Sequence, residues 1–392
     1  MRSLDASSPR PVLLSTFGPP ALACFRSWGR QGFAAGMLCI RKDSEPLPSS
    51  RYLADFRSIH PRELFTEEGL LKIDAFLKEF RATGIMAIQE AVSCWINENR
   101  GRMSSEAAIW APPSPVIQNV LSKGEQLKVA REVGLELLPT YLVDKHLDGI
   151  GEIPPEQFPL CLRPDGPRSV SPGFKVRLAR NAQDLAKSIE QLTRIDQPLL
   201  AQPFMNLPNL VVHGSRTVEG KAIGMQAFLV ERKFQGVTLT IRPVPMPELL
   251  ERKCVEFVDR FAMTGCFHFE FLYDARSGRA YFLEINGRLG GTTAKVYACG
   301  YDEPLFALES YGVCRCSRPK IQNSVVAGRH ALLKYCVHTL TNRVTSLDYP
   351  IEPPLRRLLK ALHALFTCRD EILSFTDFRG TLAFYRSLVR SG

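Results

Sequence analysis

The segment from Phe267 to Arg288 constrains the fold of this chain more than any other stretch. Each of its two halves alternates apolar and polar residues, and a turn that contains Gly278 separates them. Successive side chains of a strand point to opposite faces of a sheet, so this alternation predicts a β-hairpin. On the first strand the pattern places aromatic side chains on one face, namely Phe267, Phe269, Phe271 and Tyr273.

The other face of the predicted hairpin carries two carboxylates. It holds His268, Glu270 and Leu272 on the first strand and Phe282, Glu284 and Asn286 on the second, whose apolar side holds Tyr281, Leu283 and Ile285. If the hairpin is symmetric about Ser277, Glu270 lies across from Glu284, with Cβ atoms about 5 Å apart. Two ionised carboxylates repel each other at this distance, so we expect a positive charge between them.

A divalent cation fits this position. Mg²⁺ binds carboxylate and amide oxygens and completes its octahedron with water and phosphate oxygens, which predicts Glu270, Glu284 and Asn286 as its ligands, with Mn²⁺ as an alternative. Arg288, which follows closely, is then placed to contact a phosphate or a carboxylate substrate. The competing interpretation is that both glutamates lie on a solvated face with salt-bridge partners.

The rest of the chain reads as alternating α and β elements. Residues 11–15 and 36–40 are apolar strand patterns, and the helical pattern 20–31 between them completes a βαβ unit. Residues 64–83 form a strongly periodic helix. The Pro-rich stretch 111–115 is the predicted linker that ends a small parallel-sheet domain.

Several motifs, taken in their order along the chain, resemble the ATP-grasp superfamily, in particular its carbamoyl phosphate synthetase and biotin carboxylase branch. Glu270 followed by Leu-Glu-Ile-Asn-Gly-Arg at 283–288 is similar to the metal-binding signature of that superfamily. Lys123, which opens a predicted helix, resembles its first phosphate-binding lysine. The strand 158–164 resembles the strand that carries a basic residue to the phosphates, and 199–204 resembles the strand that frames adenine.

The resemblance implies an α/β chain with the ATP-grasp fold. It implies a parallel-sheet domain at 1–115 and a two-lobed nucleotide-binding domain at 116–313. Residues 314–392 lie beyond the resemblance, and their charge and helical pattern predict a basic, mainly helical region. It also implies ATP as the nucleotide and an ATP-dependent carboxylate–amine ligase. Such an enzyme activates a small-molecule carboxylate as an acyl phosphate, which an amine or similar nucleophile then captures, and it releases ADP and phosphate.

The same resemblance assigns roles to single residues. Phosphates are contacted by Lys123, Arg163 and Lys175, the adenine is framed by Gln202, Pro203 and Phe204, and the catalytic residues are Arg163 and Arg288. Arg163 presents five donors in a fixed fork and stays charged, which suits a phosphate clamp. The competing interpretation for these three basic residues is an ordinary solvated surface position.

Two features depart from the ATP-grasp pattern. The loop 165–173 holds only two glycines together with Pro167 and Pro172, and Pro203 follows Gln202 where an acidic residue is frequent. These departures favour an alternative function, a nucleotide-binding regulatory or interaction protein of the same fold that lacks turnover.

The charge of the chain is local. The net charge is +10, and residues 314–392 alone carry 13 Lys and Arg against 5 Asp and Glu. A helical stripe in this region is predicted to dock on the main body, and it consists of Leu355, Leu358, Leu359, Leu362, Leu365 and Phe366. The alternative is weak attraction of the region to an acidic partner or an anionic membrane surface. No aromatic-interleaved basic motif accompanies the charge, so nucleic-acid binding ranks last. A homodimer is left open.

Composition also bears on location and on zinc. No run of about 18 apolar residues and no signal-peptide pattern occurs, which predicts a cytoplasmic protein. The 11 cysteines are scattered, with only Cys314 and Cys316 close together, and the seven histidines are dispersed without paired spacing. We therefore expect reduced thiols and no zinc site.

Overall fold

A computed structural model describes residues 8–147, 149–166, 169–317 and 319–391 of the chain. For residues 389–391 it describes the backbone alone. Residues 1–7 of the predicted first domain and Pro167 of the predicted phosphate loop lie outside the described residues. No helix within the described ranges is long and apolar enough to cross a membrane.

A five-stranded parallel sheet in the order β3-β2-β1-β4-β5 begins the fold. Its elements are β1 (Pro11–Ser15), α1 (Pro19–Arg30), β2 (Ala35–Ile40), β3 (Leu53–Ile59), α2 (Glu67–Glu79), β4 (Gly84–Ala87), α3 (Glu90–Glu98) and β5 (Ala108–Ile109). The βαβ opening is confirmed, because β1 pairs in parallel with β2. Both strands are buried along their whole length, which explains their continuous apolar runs. Strand β3 lies at the edge, is only partly buried, and was not predicted.

The second region contains a four-stranded antiparallel sheet in the order β6-β11-β7-β9 and a β10-β8 pair. Its elements are α4 (Ser114–Leu121), α5 (Lys123–Glu132), β6 (Tyr141–Val143), β7 (Leu160–Arg163), β8 (Val170–Ser171), β9 (Arg177–Ala179), α6 (Ala182–Glu190), β10 (Arg194–Ile195) and β11 (Leu199–Pro203). Helix α5 begins where Ser122 accepts a hydrogen bond from the Glu125 amide at 3.2 Å. This cap places Lys123 at the first position of the helix.

A seven-stranded sheet in the order β16-β15-β12-β13-β14-β17-β18 occupies the remainder of the chain. Its first elements are β12 (Asn209–Arg216), β13 (Ala222–Phe234), β14 (Val237–Val244), α7 (Glu248–Arg260), β15 (Gly265–Asp274), β16 (Arg279–Asn286), α8 (Thr293–Ala298) and α9 (Glu303–Glu309). The last elements are β17 (Val326–Ala327), α10 (Arg329–Leu340), α11 (Pro354–Thr367), β18 (Arg369–Asp370) and α12 (Phe378–Ser391). The predicted hairpin is therefore the β15–β16 pair at one edge of this sheet.

The aromatic face of that hairpin lies in the largest core. Phe267, Phe269 and Phe271 are fully buried and pack against α7. The ring of Phe257 on this helix meets that of Phe269 edge-on, with centroids 5.2 Å apart. The predicted aromatic face is confirmed, and it holds the opposite face of the hairpin toward the smaller antiparallel sheet.

Residues after 313 do more than form helices. Strand β17 pairs antiparallel with β14 and parallel with β18, so this region completes the seven-stranded sheet. The predicted apolar stripe of α11 docks only in part, because Leu358 and Leu365 pack in the core with α10 and the other four residues do not. The buried positions are Arg357, Ala361, Ala364 and Leu365, whereas the exposed ones are Leu355, Leu359, Leu362 and Phe366. The small side chains of Ala361 and Ala364 allow α11 to lie close to α10. The buried face of α11 is therefore the one that carries these alanines.

A buried ion pair attaches the end of the chain to its beginning. Asp377 accepts a hydrogen bond from Arg26 Nε of α1 at 3.0 Å, and the two side chains are 0% and 5% exposed. The same carboxylate accepts from Ser50 Oγ and from the Arg51 amide, both at 2.9 Å. Asp377 therefore joins the segment before α12 to the parallel sheet.

Removing this carboxylate should destabilise the fold strongly. We expect Asp377→Ala to lower the free energy of unfolding by about 3–5 kcal/mol, because it leaves Arg26 buried without its partner. Urea denaturation followed by circular dichroism measures the change. Asp259→Ala is the matched control, since Asp259 pairs with Arg216 but is 46% exposed. Its loss should cost less than about 1 kcal/mol, and equal effects of the two substitutions would contradict the argument.

Candidate active site between the two antiparallel sheets

The two predicted carboxylates face each other across the hairpin. Glu270 of β15 is paired with Glu284 of β16, as the symmetric hairpin predicted. The reason is different, because the turn pairs Asp274 with Arg279, a register that would place Leu283 opposite Glu270. A β-bulge at Leu283 shifts the register by one residue and brings Glu284 into line.

The same bulge corrects the predicted faces of the second strand. Phe282 was assigned to the face of Glu284, but it is fully buried in the core beside Phe271 and Ile285. Leu283 is only partly buried. The strict alternation used for the prediction does not continue through a bulge, since the extra residue changes which side chains point to the core.

Two cations approach Glu284, one from the smaller sheet and one from the start of α5. Arg163, the last residue of β7, donates from Nη2 to Glu284 Oε2 at 2.6 Å and from Nη1 to the Leu283 carbonyl at 3.3 Å. Lys123 Nζ lies 3.9 Å from Glu284 Oε2. Both residues were predicted to contact phosphates, and the structure brings them together with the carboxylate pair.

Asp165 explains how these two cations come together. It follows β7 closely, and its carboxylate accepts hydrogen bonds from the Gly124 amide and from Ser122 Oγ, the latter at 3.0 Å. The Asp165 carbonyl also accepts from the Lys123 amide at 3.2 Å. These bonds hold the start of α5 against the end of β7. The sequence analysis did not single out Asp165, because its partners lie about forty positions earlier in the chain.

Glu270 has different neighbours. Asn209 Nδ2 donates to Glu270 Oε2 at 3.0 Å, and Lys233 Nζ donates to Asn209 Oδ1 at 2.7 Å. The sequence analysis named neither of these partners as a site residue. Lys233 lies near the end of the long strand β13 without any motif that marks it, and only the sheet order brings it to Glu270.

The two carboxyl groups therefore differ in their electrostatics. Burial raises the pKa of Glu270, and the charge of Glu284 raises it further, against the opposing charges of Lys233 and Arg163. Burial opposes ionisation of Glu284 as well, but Arg163 and Lys123 outweigh it and lower the pKa of this carboxyl. Burial also lowers the pKa of Lys123 and Lys233.

This donor set suits a magnesium ion. Two carboxylates stand opposite each other, and Asn286 follows Glu284 two residues later on the same strand. Oxygen donors of this kind are the ligands that Mg²⁺ prefers. Arg163 neutralises Glu284, whereas the hydrogen-bond donor to Glu270 is the uncharged Asn209. The negative charge of Glu270 is therefore not paired with an arginine among the described residues. The assignment of Glu270, Glu284 and Asn286 as ligands stays a prediction.

Arg288 lies at the border with the parallel sheet. Its Nε donates to the Glu90 carboxylate at the start of α3. It also borders a cavity of about 20 Å³ whose lining includes Ser93, Trp110 and Cys266. A volume of this size holds about one water molecule. Glu90 was not predicted, and it holds the Arg288 guanidinium in place.

The residues predicted to frame adenine lie along β11. Gln202 is 2% exposed and donates from Nε2 to Thr140 Oγ1 at 2.9 Å. Pro203 has no amide proton, and the Phe204 amide donates to the Pro159 carbonyl at 2.8 Å. Lys175 is exposed before β9, and none of the contacts described for the chain joins it to the carboxylate pair.

Comparisons with known proteins agree with this geometry at the level of the fold. No protein-family model and no curated protein matches the sequence. Solved structures do match. Biotin carboxylase from Campylobacter jejuni, in a β,γ-ATP complex, aligns with a TM-score of 0.63 and 17% identity over 82% of this chain and 76% of that chain.

Two further structures show the same similarity. The biotin carboxylase domain of 2-oxoglutarate carboxylase from Hydrogenobacter thermophilus, solved with MgADP and bicarbonate, has a TM-score of 0.60 and 17% identity over 80% of this chain and 73% of that chain. L-amino acid ligase from Bacillus licheniformis has a TM-score of 0.58 and 13% identity over 81% and 79%. The chain therefore has the ATP-grasp fold, as its motifs implied.

The positive groups around the pair neutralise Glu284 more than Glu270. Glu270→Gln and Glu284→Gln should therefore have opposite effects on the folding stability of the metal-free protein. The raised pKa of Glu270 means that its ionisation costs stability as the pH rises, so Glu270→Gln should stabilise the fold at pH 7.5. The lowered pKa of Glu284 means that its charge adds stability at that pH, so Glu284→Gln should destabilise it, by about 1–3 kcal/mol.

Urea unfolding in EDTA at two pH values measures both effects. The Glu270→Gln difference should largely disappear as the pH falls to about 4, near the ordinary pKa of a glutamate, because the Glu270 carboxyl is then protonated in the fold. The Glu284→Gln difference should only begin to shrink there, and it should be lost below the lowered pKa of the folded carboxyl. Glu231→Gln, which removes a half-exposed partner of Arg242, is the control and should change little. A loss of stability in both site variants at pH 7.5 would contradict the unequal neutralisation.

Proposed function

We propose that this protein is an ATP-dependent ligase that activates a carboxylate as an acyl phosphate for capture by an amine or a similar nucleophile. One observation carries the proposal. Glu270 and Glu284 are held opposite each other, while Arg163 reaches Glu284 from the end of β7 and Lys123 approaches it from the start of α5. A purely structural hairpin gains nothing from this concentration of buried charge.

In this proposal each residue has a defined task. Glu270, Glu284 and Asn286 would hold Mg²⁺, which would supply positive charge against the phosphates of ATP. Arg163 and Lys123 contact the phosphates of the substrate ATP. Arg288 orients the substrate carboxylate, with Glu90 as its positioning residue.

The chemistry follows from positioning and charge neutralisation. An oxygen of the substrate carboxylate attacks the γ-phosphorus, and ADP leaves. The amine then attacks the acyl carbon, phosphate leaves, and the amine loses a proton. Neither step requires a serine or cysteine nucleophile from the chain.

Further parts of the proposal concern nucleotide contacts and organisation. Gln202, Pro203 and Phe204 frame the adenine, and Lys175 reaches the phosphates from its exposed loop. The three domains extend over residues 1–115, 116–313 and 314–392. The proposed location is the cytoplasm, with small-molecule carboxylate and amine substrates, and a homodimer is one option for the assembly.

The second candidate is a nucleotide-binding regulator without turnover. One observation favours it, since none of the contacts described for the chain joins Lys175, a predicted phosphate contact, to the carboxylate pair. This candidate shares nucleotide binding with the ligase and differs from it only in ADP release.

A hydroxylamine-trapping screen tests the ligase. Wild-type protein with ATP, Mg²⁺ and a panel of amino, hydroxy and sugar acids should release ADP and form a hydroxamate with one class of acid. Glu284→Gln and Arg163→Ala should lower the rate by at least about 100-fold, because each removes charge stabilisation of the transferred phosphoryl group. Glu231→Gln should leave the rate unchanged.

Calorimetry with ATP in magnesium buffer separates the remaining outcomes. Nucleotide binding without ADP release for any acid would favour the regulator. The absence of both binding and release would overturn the two candidates together.

We also propose that the C-terminal region contacts an anionic lipid surface. Helices α10 and α11 pack on each other and expose large apolar side chains, which are Leu333, Val337, Leu340, Leu355, Leu359, Leu362 and Phe366. Exposed Lys334, Arg356 and Lys360 lie on the same two helices. Apolar insertion together with positive charge is the combination that anionic membranes attract.

Vesicle co-sedimentation tests this surface. The protein should bind phosphatidylserine-containing vesicles better than phosphatidylcholine vesicles and release them at high salt. Leu359→Asp and Phe366→Asp should each weaken binding about tenfold, because burying such a side chain contributes about 1.5–3 kcal/mol. Val237→Asp, at a 50% exposed residue of β14, is the control. Equal binding by the control and the two variants would refute the surface.

A further inference from the structure

Two buried histidines and a buried glutamate meet beside the carboxylate pair. His213 of β12 and His268 of β15 are cross-strand partners, and Glu303 is the first residue of α9. The three side chains belong to residues that are 0%, 4% and 0% exposed. One nitrogen or oxygen atom from each lies within 4.8 Å of the others. The sequence analysis expected no zinc site, and strand pairing is what brings these residues together.

The hydrogen bonds of the cluster leave atoms unused. His213 Nδ1 is 2.6 Å from Glu303 Oε1, and His213 Nε2 is 3.2 Å from Thr292 Oγ1. In contrast, His268 Nδ1 and Glu303 Oε2 are buried without a hydrogen-bond partner among the described residues. Buried polar groups of native proteins are nearly always paired, so two unpaired atoms in one small cluster point to a missing ligand.

The second nitrogen of His213 is held in the way that metal-binding histidines usually show. A ligand imidazole commonly hydrogen-bonds through its other nitrogen, which fixes the orientation of the ring. Here Thr292 bonds to Nε2 and leaves Nδ1 directed at Glu303. The carboxylate and the ring are therefore already oriented toward one point.

The turn before α8 leaves room for the second ring. A Cβ atom at Gly290 would lie 2.5 Å from His268 Cε1, so only glycine fits against this imidazole. The Gly290 amide donates to Thr293 Oγ1 at 2.9 Å and holds the turn over the ring. One side of the His268 ring is thus covered by the backbone of this turn, and the other side stacks on the His213 ring with centroids 5.3 Å apart.

We propose that His213, His268 and Glu303 bind one Zn²⁺ ion. Two imidazoles and one carboxylate form a donor set that zinc prefers, whereas magnesium prefers oxygen ligands alone. Three protein ligands leave one position of the tetrahedral ion for a water molecule. The ion replaces the proton shared by His213 and Glu303, and it gives His268 Nδ1 the partner that it lacks.

This site is distinct from the proposed magnesium site, although the two are adjacent. His268 lies two residues before Glu270 on the same face of β15, and its partner across the hairpin is Asn286. A zinc ion here ties α9 and the Gly290 turn to the strands that carry the carboxylate pair. The inference does not depend on ligase activity.

Metal titration of the EDTA-treated full chain tests the proposal, with Co²⁺ and Zn²⁺ as probes. We expect one ion per chain, visible d–d bands of tetrahedral Co²⁺ without a sulfur-to-cobalt band, and displacement of Co²⁺ by Zn²⁺. Glu303→Gln and His268→Asn should each lower the affinity for Co²⁺ and Zn²⁺ by more than about 100-fold. Loss of a residue that only hydrogen-bonds to a metal ligand has a smaller effect, about 10- to 100-fold. His330→Asn on α10 and Glu231→Gln on β13 should leave the metal affinity unchanged.

Two results of this titration would overturn the zinc site. A sulfur-to-cobalt band would show that the ion binds to cysteines. Wild-type metal affinity in folded Glu303→Gln and His268→Asn proteins would show that the cluster is held by hydrogen bonds alone. Either result would overturn the proposal. If the variants do not fold, the wild type decides, because Zn²⁺ must raise its thermal midpoint at one equivalent. No rise would also overturn the site.

Discussion

The repulsion between two opposed glutamates is the constraint on which the rest of this site depends. Glu270 and Glu284 share one cross-strand position, and the protein neutralises them unequally. Arg163 bonds directly to Glu284, whereas Glu270 is bonded to an asparagine whose oxygen accepts from Lys233. The same Arg163 contact joins β7 of the four-stranded sheet to β16 of the seven-stranded sheet, so one side chain both neutralises Glu284 and links the two sheets.

The hairpin that presents the pair is itself held by its other face. Phe267, Phe269 and Phe271 fill the core against α7, and the position of the carboxylates follows from that burial. A bulge at Leu283 then corrects a register that the turn alone would set wrongly. Because a one-residue slip moves every side chain to the other face, the functional pairing depends on this single extra residue.

Some parts of the structure could be predicted because they are local or periodic. The βαβ opening, the aromatic face of the hairpin and the start of α5 follow from apolar runs, alternation and a capping serine. The orientation of α11 could not be predicted in this way, because it depends on which face of the helix packs against a neighbouring element. Packing against α10 selects the alanines, although the leucines form the more apolar stripe.

The order of the motifs along the chain was enough to predict the ATP-grasp fold, and the alternation of side chains was enough to predict two glutamates on one face of a hairpin. The groups that surround these glutamates follow from long-range packing. Asn209, Lys233, Asp165 and the cluster of His213 with Glu303 come together through strand order and helix docking. Their spacings along the chain carry no signal, because contacts between distant elements depend on how whole layers pack rather than on any local period.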